Sequence, residues 1–251
     1  MLYLIGLGLS WKDISMKGLE ALNNCEKVYL ESYTSTSDFS TLQLQRLIGK
    51  PIQPLNRKEV EEEAFFLEEA SLKNIALLVY GDPLAATTHQ EILALAKKKK
   101  ISAKVIHAPS IFTAIAETGL SLYKFGKVAS IPIPEKGFEP ESFFDTLCDN
   151  LKIGAHTLFL LDLRPEQGKF LTIPEAIQLL FKIDEKRKAN IFTKERFVIG
   201  CARLGFENAL IKFGRASELV KVDFGKPPYC LIVPSELSYK EKEFLELFGI
   251  V

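Results

Sequence analysis

The sequence predicts an α/β protein of two domains, with a mostly parallel sheet in the first domain, a mixed sheet in the second, and helices flanking both. Two observations lead to this prediction. Over about the first 115 residues, short apolar segments alternate with segments of helical period, as in the repeated β-α units that form parallel sheets. The later segments mix strands and helices and are joined by longer loops. We place the boundary after residue 119, which gives domains 1–119 and 120–251.

The first domain is predicted to contain four strands separated by helices. The segment 75–80 is apolar throughout, which is typical of a strand buried on both faces. Gly119 is expected to close the last helix, because glycine tolerates the left-handed conformation of a helix C-terminus. In chain order we expect strands at 2–7, 27–31, 75–80 and 105–107, and helices at 15–24, 41–48, 59–70, 90–99 and 111–118.

The second domain is predicted to contain five strands and three helices. Pro132 and Pro134 place the strand 127–134 at a sheet edge, because proline cannot donate a ladder hydrogen bond. Thr172 and Glu175 form a capping box that opens a helix reaching to about residue 188. The other strands are expected at 157–163, 197–202, 209–213 and 229–233, and the other helices at 140–151 and 235–248.

The composition narrows the class of function. Lys and Arg number 32 and Asp and Glu number 32, so the formal net charge is zero, which argues against a nucleic-acid partner. The four cysteines form no CxxC pair and there are only three histidines, so we expect no metal site and reduced thiols in a cytoplasmic protein. We expect no export signal and no membrane span.

The sequence lacks the common hydrolase, metalloprotease and nucleotide-binding motifs: GxSxG, HExxH and the P-loop are absent. The acidic run 59–63 is interpreted as a solvated helix face.

A glycine loop follows the first predicted strand. Gly6 and Gly8 allow a tight turn and close approach of a ligand, but Trp11 occupies the place of the third glycine of a dinucleotide fingerprint. Glu31, at the end of the next strand, lies about where a ribose-binding acid would. A nicotinamide cofactor and a tight β-α turn without a ligand both remain open on this motif.

A second loop, 81–89, follows the buried strand. Asp82 is able to accept hydrogen bonds from a ligand, and the small residues from Ala85 to Thr88 leave room for one to approach. The alternative is a helix start, with Asp82 as the cap and Pro83 in the first turn. The residue types favour the ligand interpretation only slightly.

A third loop, 107–111, lies between a strand and a helix. Ser110 is a natural N-cap, and His107, at the end of an apolar strand, is interpreted as a core histidine with its hydrogen bonds satisfied. If the strands are parallel, the three loops lie at the same edge of the sheet, where open α/β sheets bind ligands. This shared position is stronger evidence than any one of the three motifs.

Segments from one end of the chain to the other resemble those of the diphthine synthases, members of the tetrapyrrole-methylase-like superfamily of S-adenosylmethionine enzymes. The compact length is similar to that of archaeal members. The matching segments are 5–9, 31–35, 81–89, 107–111, 118–120, 123–126, 223–225 and 227–234.

The resemblance implies the tetrapyrrole-methylase-like fold, S-adenosylmethionine in a cleft between two domains, and a homodimer. It also implies methylation of the amino group of an aminocarboxypropyl-histidine on translation elongation factor 2, which gives diphthine, with S-adenosylhomocysteine as the second product. Matched motif by motif, the cofactor contacts fall on Leu9, Asp82, Ala85, Ser110, Ile111, Leu161, Leu204 and Tyr229.

The implied chemistry makes modest demands on the site. An α-amino group has a pKa near 7.7–8.0, so it is neutral in roughly a tenth of the molecules at pH 7. Selecting the neutral form costs about 1.4 kcal/mol of free energy. We therefore hypothesise catalysis by proximity and orientation without an essential base. Exposed-loop candidates for acceptor contacts are Thr34, Ser35, Thr88 and His89, and candidates for pairing with its carboxylate or with an acidic protein surface are Lys124 and Arg203.

Three other readings compete with this one. A tetrapyrrole methyltransferase would share the fold, but the segments 123–126 and 227–234 favour the diphthine synthases. A non-catalytic binding module is disfavoured by the intact glycine loops. A nicotinamide oxidoreductase is disfavoured by the missing third glycine.

Overall fold

The computed structural model describes residues 1–247. The chain divides into two compact units, one from Met1 to Ala114 and one that begins at Ile115. The division therefore falls slightly before the boundary that the sequence predicts.

The first unit contains a five-stranded sheet in the order β3-β2-β4-β1-β5, with every neighbouring pair parallel. Four of these strands are predicted from the sequence. Its strands are β1 (Leu2–Gly6), β2 (Lys27–Glu31), β3 (Ile52–Leu55), β4 (Ile75–Val79) and β5 (Ala103–Ile106). Its helices are α1 (Met16–Asn23), α2 (Thr41–Ile48), α3 (Phe66–Leu72), α4 (Gln90–Lys98) and α5 (Ile111–Ala114).

Strand β4 shows why this sheet has two covered faces. All five of its residues are buried. Ile75, Leu77 and Val79 belong to one hydrophobic cluster, while Ala76 and Leu78 belong to another. Because successive side chains of a strand point to opposite faces, the two clusters lie on opposite sides of the sheet. The apolar run thus has the two-sided burial that its sequence predicts.

Two segments of the first unit differ from the prediction. Strand β3 was not expected, because Gln53 and Pro54 are exposed and break the apolar pattern. It lies at the sheet edge beside β2, where a proline is tolerated. The single helix expected over 59–70 is instead a π-helical turn, Glu59–Glu63, followed by α3. Ala64, with φ of 43°, adopts the left-handed conformation between them and interrupts the helix.

The second unit contains a mixed five-stranded sheet in the order β11-β10-β12-β7-β6, in which β6 and β7 are parallel and the other pairs antiparallel. Its strands are β6 (Ala129–Ile131), β7 (Thr157–Leu161), β10 (Phe197–Ala202), β11 (Leu210–Arg215) and β12 (Tyr229–Val233), and a short ribbon pairs β8 (Leu163–Arg164) with β9 (Lys169–Phe170). Its helices are α6 (Ser142–Lys152), α7 (Ile173–Arg187), α8 (Ala216–Leu219) and α9 (Tyr239–Glu246).

The predicted edge position of β6 and the capping box of Thr172 and Glu175 are both confirmed. The ribbon β8–β9 and helix α8 were not predicted, because they are too short to show a period. The helix expected over 235–248 begins at Tyr239, because Ser238 caps it through a box with Glu241; residue 248 lies outside the described residues. Among the described helices, none has the length and apolar character that crossing a membrane requires.

Candidate functional site

The three predicted loops lie side by side at the carboxyl edge of the first sheet, because they follow the adjacent parallel strands β4, β1 and β5. Gly8 and Gly81 exchange backbone hydrogen bonds, with N···O distances of 3.2 and 2.8 Å. A Cβ atom added to Gly6 would lie 2.7 Å from both the Ala108 Cβ and the Gly81 carbonyl oxygen. Only a glycine at position 6 allows the three loops to approach this closely.

The first loop is fixed by Asp13, a residue that the sequence analysis did not single out. Its Oδ2 accepts the backbone N–H groups of Leu9, at 3.0 Å, and Ser10, at 2.9 Å. The Leu9 amide is therefore already paired within its own loop. The signal for Asp13 was its position three residues after Ser10, which suits an acidic side chain that closes a turn on backbone amides.

The second loop is not a helix start, so the alternative of Asp82 as a cap with Pro83 in the first turn is wrong. Helix α4 begins only at Gln90. Asp82 instead folds the loop: its Oδ1 accepts the N–H of Leu84 at 2.9 Å, and its backbone carbonyl accepts the N–H of Ala85 at 3.1 Å. Its Oδ2 reaches the third loop, where it accepts the N–H of Ala108 at 3.1 Å.

The third loop corrects the prediction for His107, whose side chain is 68% exposed and does not belong to the core. Its Nδ1 lies 2.7 Å from Asp82 Oδ2. Strand β5 ends at Ile106, so residue 107 lies beyond the strand, in the loop. Ser110 is buried, and its backbone N–H donates to the hydroxyl of Thr113, in the turn that opens with Ile111.

The loop after β2 corrects the comparison of Glu31 with a ribose-binding acid. Glu31 is fully buried. Its Oε1 accepts the N–H groups of Tyr33 and Thr34 at 2.8 and 2.7 Å, and its Oε2 accepts the Thr34 hydroxyl. The carboxylate therefore closes its own loop, and the Thr34 hydroxyl is already paired. Ser35 is half-buried, and its hydroxyl donates to the Thr36 carbonyl.

Glu61, Glu62 and Glu63 are exposed, as the interpretation of the acidic run as a solvated helix face predicts, but Glu61 also contacts two of the loops. Its Oε1 accepts the hydroxyl of Thr88 at 3.1 Å and that of Tyr33 at 3.2 Å. Burial is the main reason why the pKa of Tyr33 is raised, and the nearby carboxylates of Glu31 and Glu61 add to it. Glu61 thus links the loops that follow β2 and β4.

Thr88 is exposed as expected, but His89 is not an exposed-loop residue: its side chain is fully buried. The His89 Nδ1 lies 3.1 Å from the Pro83 carbonyl oxygen, and its Nε2 is a buried atom without a hydrogen-bond partner among the described residues. The sequence missed this burial because the polar neighbours of His89 suggest an exposed turn.

Three predicted cofactor residues lie at one edge of the second sheet. Strand β12 is antiparallel to both β7 and β10, so its first residue, Tyr229, lies beside the last residues of those strands. Leu161 ends β7, and Leu204 follows β10 by two residues; both side chains are buried. The hydroxyl of Tyr229 donates to the Gly225 carbonyl, and burial is the main reason why its pKa is raised.

Arg203 and Lys124, predicted to pair with the acceptor, are already paired within the second unit. The Arg203 Nη1 donates to the carbonyls of Phe224, at 2.8 Å, and Lys226, and its Nε donates to Asn208. The Lys124 Nζ lies 2.6 Å from an oxygen of the buried Glu241. Both cations therefore have structural partners that their sequence context did not reveal.

The cysteines and the acidic residues give no sign of a metal site in the part of the chain that the structure describes. All four cysteines are free thiols. Within residues 1–247 there is no group of three His, Cys, Asp or Glu side chains placed to hold a metal ion.

Comparison with known proteins places this architecture in a family. A profile described as Tetrapyrrole (Corrin/Porphyrin) Methylases matches residues 1–220. The chain is 41% identical over 249 residues to a diphthine synthase of Methanococcus maripaludis, with 98% of each chain covered. It is 40% identical over 248 residues to a diphthine synthase of Methanothermobacter thermautotrophicus, covering 98% of this chain and 94% of that one.

A solved structure supports the same assignment. A crystal structure of diphthine synthase superposes with a TM-score of 0.89 at 36% identity and covers 100% of this chain and 96% of that one. The α/β fold, the loops at the sheet edges and these matches all indicate the same family. The chain belongs to the tetrapyrrole methylase family, within its diphthine synthases, and is an S-adenosylmethionine-dependent methyltransferase.

Proposed function

We propose that this chain methylates the amino group of the aminocarboxypropyl-histidine of translation elongation factor 2, giving diphthine on the route to diphthamide. The observation that carries the proposal is the identity of about 40% to diphthine synthases over nearly the full length of both chains. The motifs at the sheet edges, and not the fold alone, support this acceptor, because one fold hosts many functions.

The residues at the first sheet edge fit S-adenosylmethionine. Gly81 has a φ of 67°, and a Cβ built there would have nothing closer than Ser110 at 3.8 Å, so the second and third loops leave space beside their backbones. We propose that Leu9, Asp82, Ala85, Ser110 and Ile111 hold the cofactor in the first unit. Leu161, Leu204 and Tyr229 would add contacts from the second unit.

The reaction needs one bond to form and one to break. Bound S-adenosylmethionine supplies a methyl group: the amine nitrogen forms the new C–N bond while the S–CH₃ bond breaks and its electron pair stays on sulfur, leaving S-adenosylhomocysteine. The chain contributes by holding the amine in line with that methyl group, and this orientation lowers the activation free energy by several kcal/mol. Of the predicted acceptor contacts, Thr88 and Ser35 remain accessible enough to serve.

We further propose a cytoplasmic homodimer that carries its acceptor to the trimethylated form. The trimethylated form is the product that the resemblance to archaeal diphthine synthases implies, and archaeal diphthine synthases match this chain over nearly its full length. The formal net charge of zero supports a protein substrate and not a nucleic acid as the partner.

Calorimetry with S-adenosylmethionine and with NAD, followed by labelled methyl transfer to aminocarboxypropylated elongation factor 2, tests the proposal. We expect micromolar affinity, about −8 kcal/mol, for S-adenosylmethionine alone, and label on the modified histidine. Unmodified elongation factor 2 is the matched control and should stay unlabelled. Cofactor binding with label transferred to a precorrin but not to the protein would contradict the proposed acceptor.

A further inference from the structure

Asp82 and His107 form a hydrogen-bonded pair whose geometry indicates a role besides holding the loops together. The Asp82 Oδ2 lies 2.7 Å from His107 Nδ1, a distance typical of a charge-assisted hydrogen bond. The Asp82 side chain is 12% exposed, whereas that of His107 is 68% exposed. One member of the pair is thus fixed within the protein, and the other presents its ring to the outside.

The partners of Asp82 determine which ring nitrogen of His107 carries the hydrogen. Oδ1 accepts the N–H of Leu84 and Oδ2 accepts the N–H of Ala108, so both carboxylate oxygens act as acceptors. An ionised carboxylate has no hydrogen to donate, so the shared hydrogen belongs to His107 Nδ1. In the neutral ring Nε2 is then an acceptor, and the carboxylate fixes the orientation of the ring.

The acceptor amine of the proposed reaction needs a base more than an isolated α-amino group does. Its amine shares a carbon with a carboxylate, and a nearby negative charge favours the protonated amine. The neutral fraction is therefore smaller than for an isolated α-amino group. In addition, each of the first two methyl transfers leaves an ammonium that must lose a proton before the next transfer.

We propose that His107 is a catalytic base that removes protons from the acceptor amine, with Asp82 as the residue that positions it. The inference rests on the proposed function and deepens it. His107 Nε2 takes a proton from R–NH₃⁺ to give R–NH₂ and an imidazolium, and the exposed ring releases that proton to water. The same exchange follows the first and second methyl transfers, while the third gives a quaternary ammonium with no proton to lose.

The position of the pair supports this role. Asp82 and His107 belong to two of the loops proposed to hold S-adenosylmethionine, and each precedes a proposed cofactor contact in its own loop, Ala85 in one and Ser110 in the other. A base at this edge of the sheet would lie in the same loops as the proposed site of the methyl donor. The exposure of His107 provides the route to solvent that repeated proton removal requires.

Kinetics of four variants test the proposal on modified elongation factor 2. Wild type is compared with His107→Ala, His107→Gln, Asp82→Asn and, as the matched control, Lys104→Gln, which changes an exposed residue on β5, the strand that leads to His107. We expect both His107 variants to lower kcat about 100-fold, the lower end of the range for acid–base catalysis. KM for the protein and Kd for S-adenosylmethionine should change by less than about twofold, because neither ligand depends on the proton transfer for binding.

Two readouts separate catalysis from a structural role. Added imidazole should restore activity to His107→Ala, and mass spectrometry should show monomethyl product accumulating in place of the trimethyl form. Activity of His107→Ala equal to that of Lys104→Gln would overturn the inference, as would a loss that imidazole does not relieve and that comes with weaker cofactor binding. A wild type that binds S-adenosylmethionine but labels no modified elongation factor 2 would overturn the proposed function as well.

Nitrogen NMR of the imidazole provides a test that does not depend on turnover. At a pH at which the ring is neutral, we expect the hydrogen on Nδ1 in the wild type. In Asp82→Asn the amide donates to Nδ1 and moves the hydrogen to Nε2, which removes the acceptor. A wild-type spectrum with the hydrogen on Nε2 would contradict the proposal.

Discussion

A carboxylate buried in the second unit connects three parts of the chain that are far apart in sequence. Glu241 is 2% exposed. It accepts the backbone N–H of Ser121 at 3.0 Å and Lys124 Nζ at 2.6 Å, and it lies 3.3 Å from His156 Nε2. Burial raises the pKa of Glu241, but the hydrogen bonds from Lys124, Ser121 and Ser238 outweigh it and hold the pKa well below its usual range.

This network predicts that acid destabilises the protein in two steps. Burial lowers the pKa of His156 despite the Glu241 carboxylate, so below about pH 6.5 the unfolded chain binds a proton that the folded one resists. The lowered pKa of Glu241 contributes stability that is complete above about pH 4.5 and is lost as pH falls further. We therefore expect melting temperatures measured at pH 7, 5.5 and 4 to fall progressively.

Replacing the carboxylate isolates the second step. Glu241→Gln should lower the melting temperature at pH 7 by about 5 °C, which corresponds to about 2 kcal/mol for a broken, partly accessible ion pair. This difference from wild type should shrink at pH 4, because the carboxyl is then partly protonated in the unfolded wild-type chain and folding must displace that proton. Glu243→Gln, on the exposed side of α9, is the control. Equal melting temperatures for the two variants would show that the network contributes nothing.

At the residue scale, the sequence located the loops better than it predicted the surroundings of individual side chains. The loops that carry Leu9, Asp82 and Ser110 were found because glycines and small residues mark places where backbones approach closely. The exposure of His107 and the burial of His89 were both predicted wrongly. His107 contacts Asp82, which is distant in sequence, and no local pattern encodes that contact.

At the scale of elements, helix α1 has no basic residue in its last turn, and Lys50 compensates from a distance. The Lys50 Nζ donates to the carbonyl oxygens of Leu22 at 2.7 Å, Asn23 at 2.9 Å and Cys25 at 2.6 Å. These carbonyls lie at or just beyond the helix C-terminus, where a cation is favoured by the helix dipole.

Removing this cation should destabilise the first unit. We expect Lys50→Met to lower the melting temperature by about 4 °C, since the carbonyls lose a charged donor worth about 1.5 kcal/mol while the aliphatic stem is kept. Lys17→Met is the control, because Lys17 is an exposed residue on the same helix. A loss of the same size in both variants would point to surface charge in general and not to the contact with the helix end.

The sequence predicts elements best where a period extends over several residues. Strand β4 and the capped helix α7 were predicted closely, because each has an apolar pattern or a cap that is visible locally. Strand β3 was missed because its pattern includes Pro54, which only its edge position beside β2 makes acceptable. The break at Ala64 was missed because alanine is the strongest helix former, and tertiary packing overrides that preference.

At the scale of the whole molecule, the change from repeated β-α units to a mixed order predicted two units, and the matches with diphthine synthases supported the family. The hydrophobic periodicity of the sequence does not show which side chains hold the loops that border each sheet edge. Asp13 fixes the loop of Leu9 in the first unit, and Arg203 joins the loops of Leu204 and Tyr229 in the second. The sequence analysis named Arg203 only as a candidate partner of the acceptor, and the loop-holding roles of both residues emerge only from contacts in the folded chain.

If both units contribute to binding S-adenosylmethionine, as we propose, then loosening a loop in either unit weakens the same affinity. Asp13→Ala removes the acceptor for two backbone amides, and Arg203→Met removes the donors that reach the carbonyls of Phe224 and Lys226 while keeping similar volume. We expect each variant to raise Kd about tenfold, or about 1.4 kcal/mol, in calorimetric titrations. Lys17→Gln and Lys221→Gln, exposed residues of the two units, should leave Kd unchanged. An effect of Asp13→Ala without any effect of Arg203→Met would contradict the proposed cofactor contacts of Leu204 and Tyr229, whose loops Arg203 joins.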